Sequence, residues 1–183
     1  MPDLLTGDDL GQLFVSFQRT ARRLEPRDAY SSPQEDEAVR RFVAGEEIDV
    51  SWRQFWLDLV DESLSAGKRF ERVRVVADPP TAYQRYGLWS SQFNVAAGED
   101  IRYLGRDQAN ALDLPDHDFW VFDSAQVALL YFSADHRFVG AHLIAEPAVV
   151  RQHERWLDTA FEHAVPYQEY VGRSGARRRP NGA

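Results

Sequence analysis

The chain contains no cysteine among its 183 residues. That absence excludes a disulfide framework, a thiolate zinc site and a thiol nucleophile together. Long apolar runs are missing too: no stretch approaches the roughly 20 residues that span a bilayer. The opening Met1-Pro2-Asp3-Leu4-Leu5 is acidic where a signal peptide is basic. A cytoplasmic address without a membrane partner is expected. Neither a glycine-rich phosphate loop of Walker or Rossmann type nor a Gly-x-Ser-x-Gly elbow occurs, which disfavours dedicated nucleotide hydrolysis and serine esterase chemistry. Positive charge is in deficit, with 21 Lys and Arg against 29 Asp and Glu, a formal charge of -8. Such a body repels phosphate backbones, so direct nucleic-acid binding is disfavoured. The exception is local: Arg173, Arg177, Arg178 and Arg179 fall in a stretch with Gly, Ser and Pro but no apolar periodicity, which reads 173–183 as a flexible basic tail.

What is present suffices for one folded domain over residues 1–172. The hydrophobic fraction of 44% and aromatic fraction of 13% exceed those of a disordered chain, and the length allows a continuous core. Leu10, Leu13, Phe14 and Phe17 recur at helical spacing behind Asp8 or Asp9 as a cap, which predicts a helix ending near Thr20. Residues 22–27 read as an edge strand or an extended connector. Ser32, Pro33 and Glu35 announce a second helix ending at Gly45. Ser51 opens a third, whose Trp52, Phe55, Trp56, Leu59 and Val60 form one stripe, with both tryptophans as core anchors. The period then changes. Residues 70–77 read as a central strand broken by Asp78-Pro79-Pro80, followed by a helix over 80–90 and a strand over 101–104. A short helical piece at 106–112 leads to three strands, 118–122, 126–132 and 138–144, joined by turns at Asp123-Ser124 and Asp135-His136-Arg137. A last helix runs from Pro147 until Pro166 stops it. The expected class is α/β, with α+β also compatible: a mixed sheet flanked by helices after a helical first third.

Three blocks carry a resemblance: Phe70 to Val76, Asn94 to Leu104, and Leu114 to Asp123, supported by the segment from Trp156 to Pro166. From about Leu10 to Arg173 the chain resembles an actinomycete family known as domain-of-unknown-function family 6879. Members tend to be encoded near small helix-turn-helix regulators, so the resemblance implies such a regulator as a partner. More distantly, the order of elements is similar to the phospholipase D-like fold. Active members of that superfamily carry a histidine, a lysine two residues on and an aspartate five residues after that. With Asp123 as that aspartate, the histidine and lysine positions hold Asp116 and Asp118, so nucleophile and charge-neutralising lysine are both missing. His117 lies one position out of register, which on a strand turns it to the other face.

Two groups of candidate residues follow. Asp116, His117, Asp118 and Asp123 are candidates for acid, base or cation-binding roles at a strand end. Arg85, Trp89, Asn94, Asp100 and Arg102 combine an aromatic platform, an amide and fixed charges where a helix passes to a strand, as a small-ligand or peptide pocket does. His136, His142, His153 and His163 show no ligand spacing and read as surface or rim positions, so no metal or other cofactor is expected. The functional expectation is a noncatalytic interaction or sensing module with a protein or small-molecule partner, whose protein contacts centre on exposed aromatics near Trp89 and Phe93. The alternative is a hydrolase or transferase of unfamiliar type built on the Asp/His cluster.

Overall fold

The structure, a computed structural model, describes residues 4–174. Helix α1 (Gly7–Ser16) leads to strand β1 (Thr20–Glu25), helix α2 (Pro33–Ala44) and helix α3 (Gln54–Ser65), the last entered through a 3-10 turn, Ser51–Arg53. Strand β2 (Arg69–Val76), helix α4 (Ala82–Ala97), strand β3 (Asp100–Gly105) and helix α5 (Arg106–Ala111) follow. The chain continues through β4 (Asp118–Phe122), β5 (Gln126–Phe132), β6 (Phe138–Ile144), α6 (Pro147–His163), β7 (Val165–Pro166) and α7 (Tyr167–Ser174). Seven strands form one sheet in the order β6-β5-β4-β1-β2-β3-β7. Strands β1, β2 and β3 are parallel, and the remaining neighbours pair antiparallel. The expected mixed α/β sheet is therefore present. No helix among the described residues is long and apolar enough to cross a membrane.

Side chains alternate between two covered faces, as the pleat requires. On one face Ala21, Phe70, Trp120, Phe122 and Ala128 pack with Leu10 of α1 and Val60 of α3. On the other, Leu24, Val73, Val121 and Val127 pack with Val150, Leu157 and Ala160 of α6. Helices α2 and α4 add a smaller core on the first face through Phe42, Ile48 and Tyr86.

Several expected boundaries move, each for a local reason. Thr6, not Asp8 or Asp9, caps α1, with Asp9 as the reciprocal partner of a capping box, and the helix stops at Ser16 rather than near Thr20. The 22–27 segment is neither edge nor connector: β1 is central, paired with β2 on one side and β4 on the other. Helix α4 continues past Ser90 to Ala97, with the Ser90 and Ser91 hydroxyls donating to the Gly87 carbonyl inside the helix. It ends at Gly98, where φ is +107° and the Leu64 side chain fills the space that a Cβ would need. Helix α6 stops at His163, just before Pro166, which pairs in β7, and α7 follows with Tyr170 stacked on Tyr103 at 4.8 Å. The basic tail accordingly does not begin at Arg173, which lies in α7 and pairs with Glu169. Arg177, Arg178 and Arg179 lie outside the described residues.

The β4–β5 turn is the expected Asp123-Ser124 pair, both residues left-handed at φ 55° and 57°. Asp123 also closes the start of β1. Its carboxylate accepts the backbone N–H groups of Gln18, Arg19 and Thr20 at 2.8, 2.6 and 3.0 Å. Partial burial raises the Asp123 pKa, but these three donors outweigh it and hold the group below the ordinary 3.8. Asp123→Ala orphans the donors and should cost about 2–3 kcal/mol in urea unfolding at neutral pH. Because the folded pKa is the lower one, this stabilisation is complete above 3.8 and fades as pH falls through the folded value. The gap between wild type and variant should close over that acid window.

Candidate functional site

The residues facing α1 to α4 from β1, β2 and β4 include an unusual number of charges. Arg23 of β1 sits opposite Arg72 of β2 and Trp120 of β4, and Glu25 opposite Arg74. Two like charges side by side and buried would be untenable without counter-charge. Glu25 supplies it: one carboxylate contacts Arg23 Nη1 at 2.9 Å, Arg72 Nη1 at 2.7 Å and Arg74 Nε at 2.7 Å. Burial opposes its ionisation, yet the three guanidinium groups outweigh burial and hold Glu25 far below the usual carboxylate range.

The network extends in both directions. Arg72 Nε reaches Glu99 at 2.6 Å, and Glu99 also accepts Asn94 Nδ2 at 2.7 Å and Trp56 Nε1 at 3.3 Å. Asn94 Oδ1 in turn accepts Arg53 Nη2 at 2.5 Å. Toward the other end, Arg23 Nη2 meets Asp118 Oδ1 at 3.3 Å, and the Tyr30 hydroxyl donates to the same oxygen at 2.6 Å. Burial is the largest influence on Asp118 and carries it to about 6 in spite of Arg23 and Tyr30. Aromatic faces complete the solvation of the cations. Arg23 lies 5.5 Å and Arg72 5.4 Å from the Trp120 ring centre, and Arg72 lies 5.8 Å from that of Trp56. Gly87 makes room for Arg74, whose Nη1 would be 2.9 Å from an added Cβ.

Above this polar floor is a cavity of about 420 Å³. Arg23, Arg53, Arg72 and Arg74 face it along with Glu25 and Glu35. Its apolar walls come from Phe14, Trp56 and Trp120 inside and from Trp52, Phe55, Phe132 and Phe138 farther out. Burial raises the Glu35 pKa, opposed by the Tyr83 hydroxyl that donates to it at 2.9 Å. Trp52 is 39% and Phe55 77% exposed. Trp52 is thus a cavity wall rather than the core anchor expected of it.

Of the residues expected to form a ligand pocket, only Asn94 lines this cavity. Arg85 is exposed and donates to the Pro80 carbonyl at 3.0 Å. Trp89 is half-buried in a ring cluster with Phe42, Tyr86 and Phe93, so neither it nor Phe93 is the exposed aromatic expected. Asp100 and Arg102 pair with each other at 3.0 Å, and Arg102 reaches the opposite face, where it donates to Phe161 and covers its ring. The five positions do not converge: Arg85 is exposed near the start of α4, Asn94 is buried in its extension, and Arg102, opposite Val73, takes the α6 face by strand alternation.

The Asp/His cluster is split by the sheet. Asp116 is exposed before β4, Asp118 is buried on the cavity face, and Asp123 is committed to the start of β1. His117 turns to the other face, as alternation requires, where its Nε2 lies 3.3 Å from Nε2 of His153. His153 is 6% exposed, so it is not a rim residue. Its Nδ1 faces the Val149 carbonyl at 2.8 Å and must carry the proton there, which leaves Nε2 to accept from His117. Burial lowers both imidazole pKa values, that of His117 further through His153. Among the described residues no group of three His, Cys, Asp or Glu side chains could hold a metal ion.

Sequence reasoning missed Arg23, Glu25, Arg53, Arg72, Arg74 and Glu99. The readable signal was spacing: Arg23-x-Glu25 and Arg72-x-Arg74 put charges on one face of strands that are otherwise apolar.

Together these features define an open-sheet α/β protein with an ion-pair floor beneath an aromatic-walled cavity. The family described as a domain of unknown function (DUF6879) matches residues 8–172, and the chain belongs to it. A search of curated proteins found no match.

Glu25→Gln keeps the shape but removes the shared counter-charge, and should cost about 3–5 kcal/mol in urea unfolding. Asp118 gives a pH signature of opposite sign to Asp123. Its folded pKa is raised from 3.8 to about 6, so between these values the folded state binds a proton that the unfolded state releases. The stability difference between wild type and Asp118→Asn should decline as pH rises through that window, as followed by thermal unfolding.

Proposed function

We propose that the domain is a noncatalytic sensing module whose cavity takes a small molecule and whose occupancy is read by a protein partner, a helix-turn-helix regulator being the candidate. The observation that carries this reading is the cavity itself, of about 420 Å³, within the usual range for small-molecule sites. A floor of fixed charges and a wall of aromatic rings are what orients and covers such a ligand. Its outer wall includes exposed Trp52 and Phe55, so a bound molecule changes the outer surface that a partner meets.

Two features favour binding over chemistry. The cavity's serines are engaged elsewhere: Ser31 Oγ donates to Asp36 at 2.8 Å, and Ser32 caps α2. No histidine is among its lining residues, so no hydroxyl–imidazole pair addresses it. Asp118 and His117 face opposite sides of the sheet, which weighs against the alternative of an enzyme built on the Asp/His cluster. The phospholipase D-like relation stays a reading of topology, supported by the β2–α4–β3 unit followed by the β4–β5 hairpin, and it brings no chemistry with it.

A small-molecule library screened by thermal shift tests the proposal. A compound present at one hundred times its Kd stabilises by about 2.7 kcal/mol, a rise of roughly 5–10 °C for a chain of this size. The shift should vanish in Leu130→Trp, which fills the cavity, and the compound should be recovered unchanged after incubation. Shifts that persist in that variant place binding elsewhere, and turnover of the compound restores the enzyme.

A further inference from the structure

Three of the four cavity arginines are matched by carboxylates. Arg23, Arg72 and Arg74 are balanced by Glu25, Glu99 and Asp118, all within ion-pair distance of at least one of them. Arg53 stands outside this balance. It is only 9% exposed, and its hydrogen bond is to the neutral amide of Asn94. Its Nε is buried without a hydrogen-bond partner, and among the described residues no carboxylate lies within ion-pair distance of it. Glu35, the remaining acid facing the cavity, accepts from Tyr83 and attracts Arg53 only from beyond ion-pair distance. A buried guanidinium left with neutral partners is costly unless an anion completes it, and its planar fork of N–H donors matches the two oxygens of a carboxylate.

The surroundings describe the rest of the molecule. The Arg53 guanidinium lies over the Trp52 ring at 5.2 Å, so an acid group placed there has an indole beside it. Phe55 adds to that wall from α3, while Phe132 and Phe138 close the cavity from the β5–β6 ribbon. Flat rings on several sides favour a flat apolar body. One cation without an ion-pair partner also limits the charge: Arg23, Arg72 and Arg74 already contact carboxylates, even though Nε of Arg23 and of Arg74 likewise has no hydrogen-bond partner.

We infer that the cavity's ligand is a small monoanionic acid on a flat, apolar body, with its carboxylate on Arg53 and its ring against Trp52. This deepens the ligand-sensing reading and rests on it.

Calorimetric titration of the full chain with benzoate, 2-naphthoate and indole-3-acetate, each paired with its neutral amide, tests the assignment. At least one acid should bind about ten-fold tighter than its amide. In Arg53→Met, with folding checked by thermal unfolding, that preference should fall to within about two-fold, since the ring contacts remain and the charge contact does not. The comparison of acid with amide in the wild-type chain stands even where the variant fails to fold. Equal binding of acids and amides, abolished in Leu130→Trp, overturns the acid assignment and leaves the cavity as a ligand site. An acid preference that survives Arg53→Met overturns the role of Arg53. Absence of binding by every acid and amide at millimolar concentration overturns the ligand class and counts against the cavity reading, which a positive library screen would separate.

Discussion

Glu25 is the residue on which the interior depends. A single buried carboxylate at the end of the central strand makes it tolerable for Arg23, Arg72 and Arg74 to project into one space. Isolated, each guanidinium would cost several kcal/mol to bury, and hydrophobic side chains of similar volume would serve stability at least as well. The network is therefore a weak argument for stability and a stronger one for placement. It fixes the parallel strands to one another across their polar row, and holds donors in a set geometry beneath aromatic walls.

The two faces of the sheet divide the labour. On the α6 side a continuous apolar cluster crosses the strands and supplies the conventional core, bordered by the Arg22–Glu71 ion pair and by Arg102. On the α1 to α4 side the core is interrupted where the charges lie, and packing density gives way to a cavity. The interruption falls where the parallel strands meet the antiparallel β4–β6 ribbon. Helices contribute walls from one side and a ribbon from the other, so the chamber is assembled from parts distant in sequence.

This distance explains what the sequence disclosed and what it concealed. Helix α2 was legible to its ends because Ser32, Pro33 and Gly45 each act locally. The β4–β5 turn was legible because Asp123 and Ser124 tolerate left-handed backbone. The same alternation rule placed His117 opposite its neighbours. Strand β1 was obscured because Arg22, Arg23, Glu25 and Arg27 look like a solvated segment, and only their partners on β2, β4 and α6 reveal burial. The pocket expected around Arg85 and Asp100 failed for a related reason: residues neighbouring in sequence were divided between an exposed helix face, a buried helix face and the α6 side of a strand. No local pattern announces that Arg53, at a helix entrance, and Arg72, on a strand, share one chain of hydrogen bonds through Asn94 and Glu99.

The tie between Asp123 and the start of β1 has a consequence for how the protein is made. It joins residues 103 to 105 positions apart, and β1 also waits for β4 to cover its second edge. During synthesis the middle strand of the sheet is therefore made well before β4, the strand that encloses it. Until β4 arrives, a nascent chain carries an open strand edge with its arginines unmatched on that side, a species that invites association with other chains.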